Sequence, residues 1–250
     1  MFRSMIIAFS TYSRIPMPRV EWSEKSMRYS MCFFPLVGAV IGLCSYGCFW
    51  GFTQAGFGKI WIAAVLTILP LLLTGGIHMD GFLDTMDAKH SYRSMEEKLQ
   101  ILKDPHVGAF AVIYGMIYSL LVLGCFSEMN QKTMVFVGIG YVYSRILSGL
   151  SVVTFRKAKK DGMLAASADA AQKNVKWILT GEGIICAIVL LFLDPLYGGV
   201  CVAAGLLTFA YYRYMAYRVF GGTTGDLAGY FLQVCELVIL AGMAVTKLLR

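Results

Sequence analysis

The sequence predicts an all-α, polytopic membrane bundle of about seven transmembrane helices, and three observations carry that prediction. Hydrophobic residues make up 58% of the 250 positions and charged residues only 15%, against roughly 25% charged in an average soluble domain. The apolar residues stand in long blocks, not at amphipathic spacing, and each block is close to the roughly 20 residues that cross a bilayer. Lysine and arginine collect in alternate connections. A single integral-membrane domain over residues 1–250 accounts for the chain, with six to eight spans as the range.

Residues 1–30 read as an interfacial segment. The apolar stretch 5–9 is too short for a signal peptide and Arg14 follows it closely, so Tyr12, Trp22 and the basic residues are expected to anchor it in the interface. Span one covers 33–53, with Pro35 in its first turn, and span two covers 60–79. An acidic loop, 80–107, follows, and Pro105 stops one helix before the span at 108–126. Spans at 133–153, 178–194, 198–216 and 227–246 complete the bundle. Asp194-Pro195 and Gly198-Gly199 must form a tight hairpin between the fifth and sixth. The basic connection between 154 and 177 reads as a topology determinant.

With seven spans, seventeen lysines and arginines fall on the side of the N-terminus: five before the first span, four in 80–107, six in 154–177 and two in 213–226. Only Lys59, Lys132, Lys247 and Arg250 fall on the other. The bias places the acidic loop on the cytoplasmic side of the membrane. Topology and anionic lipid account for the net charge of +7 without nucleic acid. Seven cysteines lie scattered with no CxxC pair and read as small hydrophobes.

Chemistry concentrates where span two ends. His78-Met79-Asp80-Gly81-Phe82-Leu83-Asp84-Thr85-Met86-Asp87 spaces its aspartates at i, i+4 and i+7, which on a helix share one face. Three anions with no interleaved lysine suit a divalent cation bound among their oxygens. His78 reads as a ligand, a general base or an interfacial imidazole. Gly221-Gly222-Thr223-Thr224-Gly225-Asp226 feeds a helix start, whose free amides suit phosphate; Asp226 there is a metal ligand or the N-cap. Arg145, Glu182 and Glu236 lie inside spans, where charge marks a functional pocket or a buried pair.

Five segments together resemble the cobalamin synthase (adenosylcobinamide-GDP ribazoletransferase) family. They are Ser13-Arg14-Ile15-Pro16-Met17-Pro18, Phe34-Pro35-Leu36-Val37-Gly38, the run from Gly75-Gly76-Ile77-His78 through Asp87, Lys103-Asp104 with Gly108, and Gly221 through Asp226. The likeness runs from about residue 9 to residue 236. Its pattern has glycine where Ala88 stands and Ser-Arg-Ile-Gly where this chain has Pro105-His106-Val107-Gly108, which removes a bidentate cation.

The resemblance implies a membrane phosphotransferase of cobalamin biosynthesis. It joins adenosylcobinamide-GDP to α-ribazole, or its 5′-phosphate, and releases GMP. It further implies Mg²⁺ held by Asp80, Asp84, Asp87 and Asp226; catalytic roles for His78, Asp84 and Asp104; and phosphate contacts from Arg14, Lys103, His106, Arg145, Gly222 and Thr224. The expected partners are the two substrates and the bilayer, with a homo-oligomer left open. Two other classes compete. A CDP-alcohol phosphotransferase shows DGxxAR, but here Leu83-Asp84 occupies the AR positions, and a prenyltransferase needs a second DxxxD motif. A cation-coupled transporter predicts an internal repeat and a mid-bilayer acidic pair.

Overall fold

The computed structural model describes residues 1–159 and 162–249. Lys160, Asp161 and Arg250 lie outside the described residues, leaving sixteen cations against three in the charge bias. Six helices are long and apolar enough to cross a membrane: α3 (Ser30–Gln54), α7 (Ala109–Ser127), α8 (Gln131–Thr154), α10 (Val175–Leu193), α11 (Pro195–Phe220) and α12 (Gly225–Leu248). A seventh crossing is supplied by α4 (Lys59–Thr74) if it is counted with α5 (Ile77–His90), from which it is bent by 97°. Five short helices or segments complete the end of the bundle that carries the acidic residues: α1 (Phe2–Tyr12), α2 (Glu24–Met27), α5 itself, α6 (Met95–Ile101) and α9 (Met163–Ala170). Among the described residues there is no strand, only one isolated bridge between Lys157 and Thr223.

The centre of the bundle is α8, whose most apolar window is 72% buried, whereas α7 and α10 are 22% buried. Their outward leucines, isoleucines and Phe192 form the surface that lipid must cover. The hairpin expected at 194–199 is present. Asp194 accepts from the amides of Leu196 and Tyr197, Pro195 opens α11, and Lys132 Nζ stands 2.7 Å from the same carboxylate.

Span two departs from the sequence prediction, which carries it to residue 79. The helix stops at Thr74 because Gly75 (φ 67°) and Gly76 (φ 79°) are both left-handed, a pairing that only glycine adopts without strain. The chain leaves this double turn nearly perpendicular, so α5 runs across the end of the bundle instead of crossing it. Residues 80–107 are therefore two helices, not a loop. In the N-terminal segment, Ile6, Ile7, Ala8 and Phe9 of α1 are buried, and the Tyr12 ring packs at a tilt against Phe34 with centroids 4.3 Å apart.

Candidate functional site

The position of α5 follows from its small and apolar residues. Phe82 is buried between Tyr118 of α7 and Tyr230 of α12, at centroid distances of 5.1 and 5.8 Å. One residue earlier, Gly81 lies against α12 so closely that a methyl group there would stand 2.7 Å from the Asp226 carbonyl oxygen. A Cβ on Gly229 of α12 would likewise meet the His78 carbonyl oxygen at 2.9 Å. This crossing of small residues permits backbone approach and sets Asp80 and Asp84 of α5 beside Asp226 of α12.

The consequence is electrostatic. Asp84 is half-buried, and desolvation followed by the charges of Asp80, Asp226 and Asp87 raises its carboxyl from 3.8 to about 7. The donors are hard oxygens of the kind magnesium and calcium take. Among the described residues, no three His, Cys, Asp or Glu side chains converge closely enough to enclose a metal by themselves. An ion that keeps several waters and shares its coordination with substrate phosphates does not need them to.

Asp87 does a different job from its two neighbours. Its oxygens accept from the amides of Gly108 (2.7 Å) and Ala111 (2.8 Å), so it caps the N-terminus of α7 from another helix. Each oxygen thus already accepts one hydrogen bond from α7, a structural role that the sequence expectation of a metal ligand did not include. Asp87→Ala should lower stability by about 2 kcal/mol, the scale of hydrogen bonds to a charged group. Thermal unfolding in detergent checks this, and an unchanged melting temperature would contradict the capping role.

A cavity of about 460 Å³ opens beside the crossing, walled by α1, α3, α5, α8, α9, α12 and the 221–226 turn. Its lining includes the charged Asp80, Asp226, Lys103 and Lys159 and the apolar or aromatic Tyr12, Phe34, Val152 and Leu232. His78 also lines it, 5% exposed, packed near Tyr12 and Phe34, with Nε2 lacking a hydrogen-bond partner. Burial, and then the nearby Arg145 charge, lower its pKa to about 3, so the imidazole is neutral and a poor proton acceptor.

Other residues expected at the site fall elsewhere. Asp104 is exposed and bonds the amide (3.0 Å) and Nδ1 (2.7 Å) of His106; neither lines the cavity. The His106 amide holds the Asp104 carboxyl below its ordinary value. Gly222 packs on the backbone of 156–158, and its amide is spent on Ala216 as that of Thr223 is on Arg156. The Thr224 hydroxyl accepts from Leu227 N, as the N-cap of α12. The amides of 222 and 223 are thus engaged in holding the turn and are not offered to a phosphate. Arg145 is 1% exposed and paired with Glu236 at 2.5 Å, remote from the role of a free phosphate clamp. Arg14 is exposed, and its side chain covers Gly75 at the α4–α5 corner.

Sequence reasoning missed Lys159, read only as part of a topological loop, and the cavity-lining place of Tyr12. The motif segments themselves converge: 14 on 75, 34 on 78, 81 on 226, 87 on 108.

A family model described as cobalamin-5-phosphate synthase matches residues 4–244. Among similar proteins, the adenosylcobinamide-GDP ribazoletransferase of Lachnoclostridium phytofermentans is 50% identical over 247 residues, covering 97% of this chain and 92% of its own. The proteins of the same name from Desulfitobacterium hafniense and Clostridium perfringens are 32% and 30% identical, each over at least 96% of both chains. No solved structure matches.

Proposed function

The chain belongs to the cobalamin-5-phosphate synthase family, and we propose that the cavity at the α5–α12 crossing is where it joins adenosylcobinamide-GDP to α-ribazole or its 5′-phosphate. It is a multi-pass membrane transferase of cobalamin biosynthesis; the CDP-alcohol phosphotransferase, prenyltransferase and transporter alternatives have no comparable support. The positive-inside bias supports a cytoplasmic site in the bacterial cytoplasmic membrane. The observation that carries the placement is the meeting of Asp80, Asp84 and Asp226 on two sequence-distant helices, beside a cavity that also presents Lys103 and Lys159.

A ribose hydroxyl of the ribazole attacks the phosphorus bearing the cobinamide arm. The new P–O bond forms as the bond to GMP breaks, and the hydroxyl proton passes to a neighbouring carboxylate and from there to water. Such transfers depend on positioning and charge stabilisation more than on covalent help from the protein. Lys103 and Lys159 face the diphosphate. Asp80, Asp84 and Asp226 would hold Mg²⁺ together with water and the substrate phosphates, and it would offset negative charge on the diphosphate and the leaving GMP. His78, neutral and buried, orients substrate and does not act as the base. At about 460 Å³ the cavity lies within the roughly 300–1,000 Å³ of small-molecule sites, so the corrin macrocycle stays at its mouth.

Membranes containing the protein, given adenosylcobinamide-GDP, α-ribazole and Mg²⁺, should release GMP in step with corrinoid product. No GMP, with turnover of another diphosphate, would overturn the reading.

The carboxylate cluster also sets a pH dependence. With its folded-state pKa raised from 3.8 to about 7, Asp84 stays protonated where the unfolded chain has already ionised. Its stabilising contribution is therefore full below about pH 4 and lost as pH rises toward 7. Mg²⁺ should then raise the melting temperature more at pH 8 than at pH 5. An equal shift at both would remove the cluster as the binding site.

A further inference from the structure

The cavity lining combines two kinds of side chain. Asp80, Asp226, Lys103 and Lys159 are its charged members; Asp226 feels both Asp80 and Lys159, a grouping that suits a phosphate with its counter-ion. Its apolar members include Tyr12, Phe34, Val152, Leu164 and Leu232; Tyr12 packs with Val152 and Leu164 in one apolar cluster, and the Tyr12 and Phe34 rings lie 4.3 Å apart with the His78 ring 6.1 and 5.9 Å from them. His78 lines the cavity beside them, more than nine-tenths buried, and its Nε2 has no hydrogen-bond partner. A buried imidazole nitrogen left without a partner is costly unless a ligand completes it.

Two bases compete for this apolar lining, if the reaction is the one proposed above, on which this inference rests. Guanine carries donors and acceptors along its whole edge, and burying it against Val152, Leu164 and Leu232 would leave most of them unmatched. The ribazole base is a methylated, fused aromatic bicycle whose one unsubstituted ring nitrogen accepts a single hydrogen bond. One apolar slot with one imidazole nitrogen matches the second pattern.

We propose that the apolar lining of the cavity is the acceptor subsite: the ribazole base lies against Tyr12 and Phe34, and His78 Nε2–H donates to its free ring nitrogen. The ribose then extends toward Asp80 and Asp226, where its hydroxyl meets the diphosphate, while the guanosine end stays on the mouth side. His78 is thus a specificity-determining residue that reads the base, and the aromatic pair excludes purine acceptors by offering their edges no partners.

The test measures the two Michaelis constants separately, with full-length protein in membranes. Val152→Phe, which fills the slot, should raise the KM for α-ribazole at least tenfold and change that for adenosylcobinamide-GDP less than twofold. Leu164→Ala, a milder change should Val152→Phe not insert, should raise the first KM severalfold with the same selectivity. A second measurement addresses the hydrogen bond. The indole analogue of α-ribazole, with CH in place of the free ring nitrogen, should be about tenfold poorer in kcat/KM for the wild type and equal to α-ribazole for His78→Phe. A rise confined to the KM for the corrinoid nucleotide, or an analogue penalty that survives in His78→Phe, overturns the subsite. If the wild type releases no GMP at all, the functional reading fails first; if it turns over normally without the KM split, the subsite assignment alone is wrong.

Discussion

Asp84→Asn is expected to reduce GMP release about 10³-fold while making the cation-free protein more stable at neutral pH. The two effects have one cause. Asp84 is half-buried with Asp80, Asp226 and Asp87 acting on it, and each of these, after desolvation, opposes its ionisation. The folded protein therefore holds its carboxylate at a cost that asparagine, of nearly the same shape, does not bear. The same concentration of negative charge is what would attract a cation to the diphosphate. Removing one preorganised electrostatic contact to a transition state typically costs 10²–10³-fold, and a ligand shared with the ion belongs at the upper end. Opposed changes in stability and activity are characteristic of sites held under electrostatic strain. Turnover and melting temperature measured on one preparation decide the matter. The stability gain should shrink as pH falls from 7 toward 4, where the wild-type carboxyl is protonated. Activity within tenfold of wild type would remove Asp84 from the mechanism.

The second large effect is structural. Glu236→Leu should cost about 3–5 kcal/mol, the range for breaking a buried ion pair from one side. Arg145 is 1% exposed on the central helix α8, and its Nη1 donates to Glu236 (2.5 Å), the Tyr141 carbonyl (2.9 Å) and the Ser144 hydroxyl (3.1 Å). Removing Glu236 strands a guanidinium in the apolar centre of the bundle. The double variant Arg145→Met with Glu236→Leu should recover most of the loss, because a well-packed apolar pair of similar volume often matches a buried salt bridge. Yield of monodisperse protein in detergent and its unfolding temperature report both steps. A double variant no better than Glu236→Leu would show that Arg145 has a role beyond charge balance.

Much of this architecture is legible in the chain because lipid imposes simple rules. Without water to satisfy backbone groups, an apolar block near 20 residues has little alternative to a crossing helix. The blocks around 33–53, 108–126 and 133–153 accordingly agree with α3, α7 and α8 to within a few residues. The hairpin at Asp194-Pro195 was equally readable, since its cap chemistry is local. Hydropathy failed at Gly75-Gly76, where the apolar run gives no sign that two left-handed residues turn the chain by 97°.

The site divides along the same line. Asp80, Asp84 and Asp87 share a helix face by spacing alone, and that much the order of residues determines, together with the crossing helices and the side to which the cations are drawn. What each carboxylate meets was decided by packing. The absence of a side chain at Gly81 lets α12 approach and bring Asp226 to Asp80 and Asp84, whereas Asp87 is turned to the bare amides of α7. Arg145, equally plausible from sequence as a phosphate clamp, is neutralised by a partner 91 positions away. Periodicity and hydropathy are properties of neighbours along the chain, and they reach only as far as one helix. A cavity, a cap supplied by another helix and a buried pair depend on contacts between distant segments, which only the tertiary structure brings together.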